Sequence, residues 1–189
     1  SQMRELKARH NAVERAIASV ERYRKSPVKG TISLEYNDRL YLWGLPCRNN
    51  FYDTDIYAYE RELMHLRQAL MGRGLSHIHS YATGTSITKE NFLADRFEAK
   101  DVFIFLDYRD MEHFRDATVL DSGMYACIYL DRYDDEVCYA ERLLEACRRN
   151  GWHISGDYIC EVLTEFNVFD SNLRNMFLRL QVPVTFGEQ

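Results

Sequence analysis

Apolar residues recur every seventh position at the start of the chain: Leu6, Val13 and Val20, with Ala16 and Ile17 filling the turn between. Arg and Glu crowd the other faces, and neither Gly nor Pro interrupts residues 3 to 25. A heptad seam of this kind predicts an amphipathic helix. Its apolar stripe packs either on the helix's own domain or on a second copy in a coiled coil. Three heptads are marginal alone, so the helix needs a partner of one kind or the other. Ser26-Pro27-Val28-Lys29-Gly30 ends it, since proline disfavours helix before it and glycine permits a turn. Residues 1–27 therefore read as a linker or dimerisation helix, and 31–185 as a globular domain.

Beyond Thr31 the period changes to two. TISLEYNDRLYLWGLP, residues 31–46, alternates apolar and polar residues around Asn37-Asp38 and reads as a long strand or a hairpin. Leu63, Leu66, Ala69 and Leu70 then recur at helical spacing, and Gly72 and Gly74 stop that helix. HIHSYATGTSI (77–87), DVFIFLDY (101–108) and HFRDATV (113–119) read as strands. The last third repeats the order: strand 124–133, helix 134–151 with Asp134 as its N-cap, then strands 156–166 and 175–184. Two strand-helix-strand-strand units predict an α+β fold, one antiparallel sheet with two helices on one face. The opposite, concave face is then free to hold a ligand.

Composition narrows the function. No run approaches about 18 apolar residues, so nothing in the sequence spans a membrane as a helix. A net charge of −5 argues against DNA binding by this chain alone, because duplex affinity rests on Lys and Arg. Cys47, Cys127, Cys138, Cys147 and Cys160 show no C-x-x-C spacing and are odd in number, which suits free thiols in a reducing cytoplasm. No phosphate-cradling glycine loop, G-x-S-x-G or H-E-x-x-H is present. His77 and His79 would share one strand face but lack an identifiable third ligand. Asp131, Asp134, Asp135 and Glu136 lack the glycine of a calcium loop and suit the start of a helix. We therefore expect no metal and no cofactor.

Three short segments carry a family resemblance: Gly123-Met124-Tyr125-Ala126-Cys127, Gly156-Asp157 and Leu180-Gln181-Val182-Pro183-Val184. With the element order, they resemble the GyrI-like effector-binding domain of MerR-family multidrug regulators, most strongly over 123–184. The resemblance implies a small-molecule effector, a homodimer paired through the first helix, and promoter DNA read only by a domain upstream of this chain. The chain's opening SQMRELKARH reads as a cut into a longer helix. Some relatives with this fold are small hydrolases, and others bind proteins, so those readings stand as alternatives.

Thirteen tyrosines, ten phenylalanines and two tryptophans give the sheet an aromatic character. Aromatic walls with one buried acid suit lipophilic cations, since each ring face attracts positive charge by about 0.5–2 kcal/mol. The resemblance places the multidrug sensors' glutamate three residues after the Gly-Asp turn, which is Cys160 here. Glu161 follows one residue later, and on a strand that step reverses the face unless a bulge intervenes. Glu161 is the first candidate for the charge selector, with a solvent-facing strand glutamate as the alternative; Glu165 and Glu35 are weaker candidates. The resemblance adds Tyr81, after Ser80, as a residue that packs on the drug. It adds Tyr59 near a second pocket tyrosine and Met176 where relatives carry a tyrosine. Trp43 would form a pocket wall or part of the core.

Overall fold

A computed structural model describes residues 2–54, 56–75, 77–166 and 175–187. The elements are α1 (Gln2–Lys25), β1 (Ile32–Asn37), β2 (Leu40–Pro46), α2 (Ile56–Gly72), β3 (Thr83–Ile87) and α3 (Lys89–Leu93). They continue with β4 (Asp101–Leu106), β5 (Thr118–Leu120), β6 (Gly123–Leu130), α4 (Glu136–Asn150), β7 (His153–Ile154), β8 (Tyr158–Phe166) and β9 (Asn175–Thr185). The duplicated strand-helix-strand-strand order is present.

Eight strands pair antiparallel in the order β1-β6-β9-β8-β3-β4-β2-β5, with β7 added beside β9. The two strands around Asn37-Asp38 do not form a hairpin. β1 pairs with β6, and β2 pairs with β4 and β5. Laid flat, six strand spacings from β1 to β2 would separate them by about 29 Å. Asp38 and Arg39 alone join them, and that link reaches at most about 11 Å. The sheet must therefore curl until its ends approach, which creates a concave interior.

Alternation along the strands assigns the two faces. Tyr158 and Cys160 on β8, and Met176, Leu178, Leu180 and Val182 on β9, pack into the main core with Leu63, Leu66 and Leu70 of α2 and Leu143 and Leu144 of α4. Burying such side chains is the main drive for the fold, at about 1.5–3 kcal/mol each. The other face carries Tyr125, Cys127, Tyr129, Leu163 and Phe177, with Leu42, Phe103 and Ile159 as a second patch. Both helices thus cover the outside of the curl and leave its inside to other groups.

Three local expectations change. Residues 77–82 are not strand: His77 is left-handed (φ 61°) and a 3-10 turn follows over Ile78–Ser80, so His77 and His79 do not share a strand face. The strand expected at 113–119 is confined to Thr118–Leu120, because Phe114 turns inward and is fully buried beneath Trp43. The second-half helix starts at Glu136, after a 3-10 turn, with Asp135 rather than Asp134 at the N-cap and no side-chain cap.

α1 lies against the domain, but not by its seam. Arg15, Ser19 and Arg22 face the domain, at positions i, i+4 and i+7. The Ser19 hydroxyl donates to the Leu163 carbonyl at 2.5 Å, and Tyr23 meets the edge of Phe177 at 4.9 Å between centroids. At 3.6 residues per turn, Val13, Ile17 and Val20 lie on the opposite side of the helix. Those three and Leu6 remain 54–60% exposed, and the helix buries no residue of its own.

Candidate ligand-binding site

Glu161 points into the curl. Its exposure is 2%, and it stands beside Arg179 in the β8–β9 register. The only register shift on this strand falls later, between Val162 and Thr164, so Cys160 and Glu161 face opposite ways. Glu161 has charged partners: Arg22 of α1 donates to Oε1 at 2.6 Å, Arg179 Nη1 lies 3.7 Å from Oε2, and Gln181 donates to Oε2 at 3.2 Å. Arg179 also reaches Glu35 at 3.6 Å and donates to Asn37 Oδ1 at 2.9 Å, while the Tyr129 hydroxyl donates to Glu35. This buried network joins β1, β6, β8 and β9 across the interior. Two carboxylates and two arginines balance, and Arg22 is the only one of the four supplied by α1.

Two chambers flank Arg22. One, of about 500 Å³, lies between α1, α2 and the sheet, walled by Leu63, Leu66, Leu70, Tyr81, Ile104 and Leu106. The other, of about 510 Å³, opens onto Glu161, Glu35, Tyr129 and Arg179. A third of about 700 Å³ lies at the far end of the curl, over Leu42, Phe103, Tyr125 and Ile159, with Lys100 and Asp157 at its rim.

Tyr81 lines the first chamber, and Arg15 of α1 lies over its ring at 4.1 Å from the centroid. Asp110 completes this corner. It accepts from the Tyr81 hydroxyl at 2.9 Å and lies 3.8 Å from Arg15, whose Nε donates to Ser80 at 3.0 Å. Burial, then the neighbouring Asp110 charge, pushes the Tyr81 phenol up to about 12, so it acts as a donor and a ring face.

The remaining sequence candidates sit on the helix side. Cys160 and Met176 are buried in the main core, and Tyr59 of α2 packs between Phe51 and Tyr133 at 5.5 and 5.4 Å. Trp43 is farther off, with Arg73 over its ring at 4.3 Å and its indole donating to Asp116. The side chain of Glu165 lies outside the described residues. α1 thus reaches both Glu161, on the inner face of β8, and Tyr81, which belongs to the same helix-side core as Cys160, Met176 and Tyr59.

Behind the sheet stands an acid that sequence reasoning assigned only to a helix start. Glu136 is 3% exposed, and its Oε1 accepts from Tyr52 at 2.7 Å and Tyr158 at 2.9 Å. The Cys160 thiol bonds to the same carboxyl. Phe92 stacks on Tyr158, and Phe97 meets Tyr52, so rings enclose it. Burial raises the Glu136 pKa above its ordinary 4.5, against the pull of its phenol donors. The position counted as the sensors' glutamate, Cys160, thus has a carboxyl beside it in space, supplied by α4. Only the partners, 84 and 22 residues away in sequence, reveal it.

Burial makes Cys127 and Cys147 poor nucleophiles, pushing their thiols up to about 12 and about 11. Among the described residues, no group of three or more His, Cys, Asp or Glu is placed to hold a metal, and no helix is long and apolar enough to cross a membrane.

No protein-family model matches the sequence, and no curated protein does. Solved structures match over most of the chain. The crystal structure of the EcmrR C-terminal domain aligns with a TM-score of 0.55 at 14% identity, over 82% of this chain and 97% of that one. The cryo-EM structure of an EcmrR–DNA complex aligns with a TM-score of 0.55 at 13% identity, over 97% of this chain and 67% of that one. The chain has the fold of the EcmrR C-terminal domain, an α+β GyrI-like fold. The 97% match leaves too few residues aside to omit α1. A hydrolase from Listeria innocua shares the GyrI-like fold, with a TM-score of 0.51 at 10% identity over 87% of this chain and 96% of that one. Fold does not select between such roles, so function rests on the residues of the site.

Proposed function

We propose that this chain is the small-molecule-sensing domain of a MerR-type transcription activator and takes lipophilic cations at the chambers beneath α1. One observation carries the reading. The Arg15 guanidinium, a planar delocalised cation, already lies on the Tyr81 ring beside Asp110 at the wall of a 500 Å³ chamber. An aromatic face and a carboxylate converging on apolar space form a cation-binding corner. The exposed seam of α1 supports a homodimer through that helix, and promoter DNA would be read by a domain outside this chain.

Ethidium titration of the full chain, followed by fluorescence and melting temperature, tests the reading. Saturable binding that weakens about tenfold or more in Tyr81→Ala is the expected result. Absence of binding by ethidium and by a wider panel of lipophilic cations would sink it. A second placement, at Glu136 between Tyr52 and Tyr158, is favoured by that carboxyl's having no cationic partner among the described residues. It predicts loss of ethidium binding in Glu136→Gln with Tyr81→Ala unaffected.

A further inference from the structure

α1 presents two guanidiniums to the domain. Arg15 and Arg22 are seven residues apart, about 10.5 Å along the helix axis. Each meets a buried carboxylate. Among the described residues, Arg15 is the only cation within ion-pair distance of Asp110, and Arg22 is the only donor to Glu161 Oε1. The other Glu161 oxygen is held by Arg179 and Gln181.

Without α1 both ends would be one positive charge short. Glu161 and Glu35 would share Arg179 alone, and Asp110 would keep only the Tyr81 hydroxyl and the Asp107 amide. Unpaired buried carboxylates are costly, so these positions favour a replacement cation at each. The 500 Å³ chamber runs from Arg15 and Tyr81 to Arg22, walled by Leu63, Leu66 and Ile104, and at Arg22 it meets the 510 Å³ chamber that Glu161 lines.

We infer that the effector is an elongated dication whose positive ends, on the order of 10 Å apart, replace Arg15 at Tyr81–Asp110 and Arg22 at Glu161, so that binding and α1 docking exclude each other. This rests on the sensor reading above and specifies its ligand. The apolar middle of such a molecule would lie on the chamber's leucines. One long dication would pay the entropy of binding once for two ion pairs, as linked sites do. A monocation could displace only one arginine and would compete with the other. The effector would act by removing the contacts that hold α1, since a ligand shifts an equilibrium only by binding one state better.

The test uses the full chain and a series of α,ω-diguanidinoalkanes from butane to dodecane, with octylguanidine as the monocation. Binding is read by calorimetry, and α1 release by hydrogen exchange at residues 12–23. The expected result is an affinity optimum at the member spanning about 10.5 Å, near pentane to hexane, at least about tenfold tighter than octylguanidine. Faster α1 exchange on binding, and several-fold tighter binding in the Arg15→Ala/Arg22→Ala double variant, follow from removal of the competitor. Affinity that ignores chain length, or α1 exchange unchanged at saturation, overturns the inference. Both can be read on the wild-type chain, so a poorly folding variant does not protect it. If ethidium binds while the series shows no optimum, the dication inference alone falls. If neither ethidium nor any diguanidine binds, the sensor reading falls with it.

Discussion

Glu136 and Glu161 are buried to nearly the same degree, 3% and 2% exposed, on opposite sides of strand β8. Their surroundings differ in kind. Glu161 meets two arginines and an amide in the interior of the curl; Glu136 meets two phenols and a thiol in a box of rings. Burial alone therefore decides little about an acid. A carboxyl given neutral donors relieves its desolvation by holding its proton, whereas one given guanidiniums is bound into a charge balance. The helix side is built for packing. The interior is built around charges, one of which comes from a helix that rests on the surface.

The largest expected effect is that of Arg179→Met. It strands Glu35 and Glu161 together in the interior and should cost about 3–5 kcal/mol by urea denaturation. A loss under about 1 kcal/mol would show that the interior does not depend on its charges, and the contrast would collapse. Next come the two glutamates in the same assay at neutral pH. Glu161→Gln should cost about 1–3 kcal/mol by leaving Arg179 with Glu35 alone and taking the carboxylate from Arg22, and Glu136→Gln less than about 1, because an amide can still accept from both phenols. Equal costs would erase the distinction.

The pH dependence sharpens it further. Between 4.5 and its raised value in the fold, Glu136 holds a proton that the unfolded chain has released. The stability this contributes is complete below 4.5 and is lost as pH rises through the raised value. Melting temperature should therefore fall with rising pH in the wild type relative to Glu136→Gln. Parallel curves would mean that the proton is not held. The smallest effect expected is Tyr158→Phe, which removes one of two donors to Glu136 for about 1 kcal/mol; an unchanged midpoint would leave Tyr52 as the donor that matters.

Much of this architecture was legible in the sequence. The periods of two and 3.6 located both helices and most strands, and alternation put Cys160 and Glu161 on opposite faces. What failed had local causes. His77 to Ala82 alternates like a strand, but His77 adopts a left-handed turn that alternation cannot reveal. Glu136 followed Asp134 and Asp135, where an acid is ordinary at a helix start, and its tyrosines come from remote elements. Arg15 and Arg22 looked like part of a solvated helix face, because their carboxylate partners lie more than 90 residues downstream. Periodicity reports which face a residue takes, not what waits opposite.

The order of the strands has a consequence for how the molecule comes into being. The two halves look like copies, yet neither keeps its strands to itself: β1 of the first half pairs with β6 of the second, and β3 with β8. As the chain leaves the ribosome, Ile32 must wait for Ile128, and the gap between β6 and β8 closes only when β9 arrives. Pairings over such separations are slow to form, and the early strands stand with open edges meanwhile. The duplication is thus one of shape and not of independence; a chain divided near residue 121 would give two fragments, each holding strands whose neighbours belong to the other.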